Sequence, residues 1–265
     1  MKCSEIIEVL EELSPKQYAC EWDNVGLLVG RRDKDVKHIM VALDATMEVV
    51  RQACEKGIDM LITHHPMIFS PMKKVTGDSV LGEKVLLLAE HGISYFAMHT
   101  NFDTVGGMAE LAASQQYLNL SDTRPIIECD LPEQGMGRYG KLPKAMNVDE
   151  VAEYIKKCFG LSNVLIHKTD SVSDKLFERI AVMPGSGKSF INKVVEDGYD
   201  LYLTGDIGYH EATDARELGL NVIDATHDGI EKIFVKYISD YLKGRFTLKE
   251  MEFDDKLYTA FICEI

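Results

Sequence analysis

Between residues 38 and 118, short apolar runs alternate with amphipathic stretches. HIMVALD (38–44), IDMLIT (58–63) and ISYFAM (93–98) read as strands, and MEVVRQACEKG (47–57), LGEKVLLLAEHG (81–92) and GGMAELAASQQYL (106–118) as helices. A strand of almost unbroken Val, Ile, Leu and Met must be buried on both faces, and strands that alternate with helices build βαβ units around a mostly parallel sheet. A passage rich in proline and glycine, RPIIECDLPEQGMGRYGKLPK (124–144), then reads as turns. The alternation resumes after it: 149–160 as a helix, 179–184, 200–205 and 221–225 as strands, 228–244 as a long helix and 257–265 as a last strand. The expected architecture is α/β, with two lobes of mostly parallel sheet at 1–125 and 126–265.

The halves echo each other. GIDMLITHH (57–65) and GYDLYLTGD (198–206) share Gly-x-Asp, apolar residues, Thr and polar groups, and both GISYFAMHTNFD (92–103) and GLNVIDATHDGIE (219–231) run a strand into His-x-x-x-acid. Both echoes in the same order point to a duplicated unit.

Composition narrows the functional classes. With 29 basic and 43 acidic residues, a net charge of −14 repels a phosphate backbone, so no nucleic-acid partner is expected. No stretch approaches the roughly 18 apolar residues of a membrane span, and the acidic, amphipathic MKCSEIIEVLEEL is unlike a signal peptide; the expected location is the cytoplasm, with no membrane partner. Six widely spaced cysteines without a CxxC pair argue against a disulfide framework and a thiolate zinc site.

In open parallel sheets, ligands bind outside the carboxyl ends of strands. ITHHPMIF puts His64 and His65 directly after strand 58–63, Asp103 follows strand 93–98, and His227 and Glu231 follow strand 221–225. Spaced by four at a helix start, His227 and Glu231 share a helical face, as two ligands of one centre must. Adjacent histidines on an extended segment point to different sides, so His64 and His65 fit two metal ions better than one. Mixed nitrogen and oxygen donors suit divalent Zn, Fe, Mn, Co or Ni over Ca or Mg without choosing among them. Each of these histidines can also be read as an ordinary hydrogen-bonded residue; five candidates at three strand ends favour ligation.

Other features weigh less. GSGKS (185–189) has Val182 where a full phosphate-loop motif needs glycine, so it reads as a tight turn or an anion contact. Asp206 and His210, in TGDIGYHEATDA, are either substrate-site groups or, for Asp206, a helix cap. His99 can orient Asp103 or line the pocket; His38, His91 and His167 read as structural or exposed, and Trp22 as a packing residue.

EWDNVGLLVG, VALDAT, ITHHPMIF, HTNFD, GSGKS with TGDIGYH, and DATHDGIE resemble, in order and over essentially the whole chain, the dimetal proteins named GTP cyclohydrolase 1 type 2 homologs, relatives of the yeast NGG-interacting factor. The resemblance is to the short form, because some relatives carry a domain inserted between the halves. It implies two α/β domains with a dinuclear site between them, ligands at His64, His65, Asp103, His227 and Glu231, and a toroidal homohexamer built as a trimer of dimers. It also implies hydrolase chemistry on a small-molecule substrate of the purine nucleotide class: metal-bound hydroxide opening the purine ring of GTP at C8 and releasing formate, with His99 or His210 carrying protons. The alternative is a non-catalytic metal-binding scaffold or a regulatory interaction protein. One departure is Thr226, where relatives often place glycine before the histidine.

Overall fold

The computed structural model describes residues 1–169, 175–246, 250–254 and 256–263. The chain divides into two compact units, one made of 1–106 with 232–265 and the other of 107–231. The first unit opens with α1 (Cys3–Leu13), β1 (Gly26–Val29), β2 (Ile39–Ala42), α2 (Met47–Glu55), β3 (Met60–Thr63), α3 (Val80–Glu90) and β4 (Ser94–Ala97). The second contains α4 (Met108–Ala113), β5 (Ser121–Arg124), β6 (Ile127–Glu128), β7 (Gly135–Met136), β8 (Arg138–Met146), α5 (Val148–Phe159) and β9 (Leu165–His167). It continues with β10 (Phe177–Ser186), α6 (Ile191–Glu196), β11 (Leu201–Gly205), α7 (Tyr209–Glu217), β12 (Asn221–Asp224) and α8 (His227–Glu231). The chain then rejoins the first unit as α9 (Ile233–Arg245), β13 (Glu250–Asp254) and β14 (Thr259–Cys263).

Each unit is built on a six-stranded sheet. In the first, of order β1-β4-β3-β2-β14-β13, the strands β2, β3 and β4 are parallel and every one of their residues is buried. β1 and β14 flank them antiparallel. The second sheet, read as β9-β12-β11-β10-β8-β5, has the same plan: β10, β11 and β12 parallel, with β9 and β8 antiparallel at either side. Cyclically, β13-β14-α1-β1-β2-α2-β3-α3-β4 of the first unit matches β5-β8-α5-β9-β10-α6-β11-α7-β12 of the second. The echoing segments sit at equivalent places, on β3 and β11 and on β4 and β12. Duplication followed by a shift of the chain ends accounts for this order.

That order also explains where the chain divides. The expected boundary at 125/126 is replaced by crossings after Gly106 and after Glu231, because the antiparallel hairpin that completes the first sheet comes from the end of the chain. The expected helix 228–244 is likewise two helices, the first ending the second unit and the next opening the return. Residues 264 and 265 of the expected last strand lie outside the described residues.

The largest difference from the sequence reading is at 124–144. Most of this turn-rich passage pairs: β5 and β8 join the second sheet, and β6 and β7 form a separate hairpin. Proline is tolerated in β8 because Pro143 falls where the pairing with β10 is irregular, between Lys141 opposite Arg179 and Met146 opposite Phe177. Gly135 is needed where β7 meets β6, since a Cβ there would lie 1.9 Å from the Ile127 carbonyl oxygen.

Among the described residues no helix is long and apolar enough to cross a membrane. Helix α9 ties the end of the chain to the first unit's core through buried Ile233, Phe234, Ile238 and Leu242. The Phe234 ring is fully buried, 5.1 Å from Phe102 and 5.2 Å from the ring of His64. Phe234→Ala removes this packing and leaves a cavity beside His64; a loss of about 3–5 kcal/mol is expected, read as a lower urea midpoint at unchanged slope.

Candidate metal centre

In the first unit, the histidine pair is held by a hydroxyl network at the end of β3. The Thr63 hydroxyl donates to the His65 carbonyl at 2.8 Å, and the Met67 amide donates to the Tyr95 hydroxyl at 2.8 Å. That hydroxyl also lies 2.8 Å from Thr63 Oγ1 and 3.0 Å from the His65 carbonyl. Burial pushes the Tyr95 phenol up to about 12, so it stays a neutral hydrogen-bonding group at any physiological pH.

Three imidazoles converge here. His64, His65 and His99 each bring one ring nitrogen within 4.8 Å of the others, and their ring centroids are 4.9, 5.2 and 5.6 Å apart. His64 is fully buried. Its Nδ1 lies 2.8 Å from the Met98 carbonyl oxygen, which can only accept, so Nδ1 carries the proton. His65 Nδ1 is 2.9 Å from Asp44 Oδ1, and His99 Nδ1 is 3.0 Å from Asp23 Oδ1. In all three rings Nδ1 is committed to an acceptor. Metal-binding histidines are oriented in this way.

Asp23 is the firmest of these acceptors. Burial works against its charge, but hydrogen bonds from His99 and from the Thr100 hydroxyl and amide, together with the nearby His99, outweigh that and hold the carboxyl at about 2. Asp103 lies in a π-helical turn at Phe102–Gly106, with Oδ1 3.6 Å from His64 Nε2. That is too long for a hydrogen bond. It is the separation of two ligands that share one cation at ordinary bond lengths near 2.1 Å.

The second unit carries a smaller set built on the same plan. His227 opens α8 after β12, and its Nδ1 lies 2.6 Å from Asp206 Oδ2 at the end of β11. Its Nε2 is 3.2 Å from Oε2 of Glu231, whose residue is only 3% exposed. The first glycine of GSGKS makes room for this carboxylate. Gly185 has φ +68, and a Cβ there would lie 2.1 Å from Glu231 Oε1. The Gly187 amide donates to Thr204 Oγ1 at 2.8 Å, so it is spent inside the protein rather than on an anion.

The structure therefore brings together His64, His65, His99 and Asp103 in one unit, and His227 and Glu231 in the other. His210 stands exposed on the first turn of α7 with its ring edge-on to Tyr209, and among the described residues it makes no hydrogen bond. His99 is oriented by Asp23 through Nδ1. Asp23 and Asp44 escaped the sequence reading, since an acid in a loop gives no sign of which imidazole it will meet. Trp22 does not pack inside: it is 59% exposed.

These features define a two-unit α/β protein whose imidazole and carboxylate groups, at the carboxyl ends of parallel strands, can hold metal. The chain belongs to the DUF34/NIF3 (NGG1p interacting factor 3) family, whose profile matches residues 1–257. It is similar to a Clostridium perfringens protein named GTP cyclohydrolase 1 type 2 homolog, at 34% identity over 92% of each chain. A protein of the same name from Methanocaldococcus jannaschii is 35% identical over 96% of this chain and all of the relative. Among solved structures, reduced HcgD from Methanocaldococcus jannaschii superimposes with a TM-score of 0.79 at 34% identity, covering 93% of this chain and 95% of that one.

Thr226, directly before His227, has φ +64, a conformation that a β-branched residue enters only at a cost. Its amide and hydroxyl hydrogen bonds to Asp224 and Asp228 hold it there. Thr226→Gly relieves the strain and is expected to raise stability by about 1 kcal/mol after the entropy of glycine is subtracted. A chemical denaturation midpoint that falls instead would contradict the presence of strain.

Proposed function

We propose that this chain is a metal-dependent hydrolase that acts on a purine nucleotide, with GTP as the first candidate. His64, His65, Asp103, His227 and Glu231 would be the residues that hold its divalent cations. The observation that carries this reading is the gathering of ligand-type atoms within reach of one ion, His64 with His65 and His99, and His64 with Asp103, while Nδ1 of His64, His65 and His227 is committed to a fixed acceptor. Borderline nitrogen and oxygen donors of this kind suit first-row divalent metals. The names of the relatives supply the substrate class.

When bound, such cations supply Lewis acidity and lower the pKa of a coordinated water. The chain's own contribution is positioning and proton transfer. Asp23 fixes the His99 ring and keeps a proton on Nδ1, so Nε2 is the atom that accepts a proton from the attacking water and returns it to the departing ring nitrogen. Because Asp23 stays ionised down to about pH 2, it also stabilises the imidazolium formed midway. His210, exposed and without such a partner among the described residues, is the weaker proton carrier. Buried Glu231 in its glycine cradle offers a carboxylate whose charge a cation would balance. Assembly as a homohexamer, a trimer of dimers, belongs to the same reading.

Protein purified from its own host should contain two divalent ions per chain, and with GTP it should release formate while the product keeps all three phosphates. His64→Ala should lose metal and lower turnover by at least about 100-fold. Full metal occupancy without turnover of any purine nucleotide would favour the scaffold alternative, and a fully active His64→Ala would remove this site from the chemistry.

A further inference from the structure

Trp22, the chain's single tryptophan, is 59% exposed, and Phe69 beside it is 53% exposed. Their ring centroids lie 5.7 Å apart at 45°, and Trp22 also meets the ring of His99 edge-on at 6.0 Å. Neither segment hangs loosely on the surface. Asp23, next to Trp22, has a fully buried side chain bonded to His99 and Thr100. Asn24 Nδ2 donates at 2.6 Å to the carbonyl of Ile68, next to Phe69. Residues 22–24 thus fasten the two aromatic side chains to each other and to the histidine cluster, while the rings themselves are left to solvent.

Large aromatic faces presented at fixed tilt suit a planar π-system, because offset and edge-on contacts at 4.5–7 Å are the favoured ring geometries and stacking tolerates any base. The polar imidazole at one side of the pair calls for a ring with polar edges rather than an alkyl chain. We propose that Trp22 and Phe69 form a shelf on which a heteroaromatic base stacks beside His99. The choice of a purine as that base rests on the function proposed above; the shelf itself rests on the aromatic geometry.

Because Trp22 is the only indole, its emission reports on the shelf directly. The purified full-length protein, metal-loaded, is titrated with guanosine 5′-monophosphate and, separately, with ribose 5-phosphate, which carries the same phosphate without a base. Saturable quenching by the nucleotide and none by the sugar phosphate is expected. Phe69→Ala, an exposed substitution whose fold circular dichroism checks, should weaken the nucleotide affinity about 5-fold or more. The protein stripped of metal by a chelator should still show the quenching, so a failed hydrolase reading and a failed shelf give different results. Equal quenching by both compounds, none by either, or a change that follows protein concentration instead of nucleotide would overturn the shelf.

Discussion

The candidate ligands of both units depend on one interaction repeated four times: an imidazole Nδ1–H given to an acceptor that the fold holds still. The acceptors differ, a backbone carbonyl for His64 and carboxylates of Asp44, Asp23 and Asp206 for His65, His99 and His227, but the result is the same. Each ring is fixed in orientation, with its Nδ1 proton held by a named acceptor. Without these partners, neighbouring imidazoles could rotate or take protons and repel one another.

The fold supplies the acceptors at little extra cost, because they sit where parallel strands end. Asp44 follows β2, His64 and His65 follow β3, His99 follows β4, and Asp206 and His227 follow β11 and β12. Fully buried strands with a continuous hydrogen-bond ladder make rigid posts, and the loops beyond them are short. The two units share this plan but have diverged in use. Where the first has adjacent histidines after its middle parallel strand, the second has Gly205 and Asp206, and that aspartate serves the unit's own histidine. Glycines 185 and 187, which resemble a phosphate loop in the sequence, instead let backbone approach Glu231 and Thr204.

Much of this was legible in the sequence, for reasons that also explain what was not. The parallel strands announced themselves as unbroken apolar runs, and the helices by their periodicity and caps, as at Asn147 and Glu150 opening α5. The ligand candidates were visible because strand ends in such sheets are functional. The passage 124–144 was misread because antiparallel strands such as β8 accept proline and glycine at irregular pairings, so turn residues do not exclude pairing there. The chain division was misread because nothing local marks a hairpin that returns from the far end to complete a sheet. Asp23, Asp44 and the exposure of Trp22 are products of tertiary placement, which no periodicity encodes.

Histidine tautomers in the metal-free protein test the central claim most directly. Long-range proton–nitrogen correlation spectra at about pH 8, above the ordinary imidazole range, distinguish a protonated Nδ1 from a protonated Nε2. His64, His65, His99 and His227 should all carry the proton on Nδ1. A population of His64 with Nδ1 unprotonated, or averaging between tautomers in that ring, would contradict the fixed arrangement on which the proposed metal site rests.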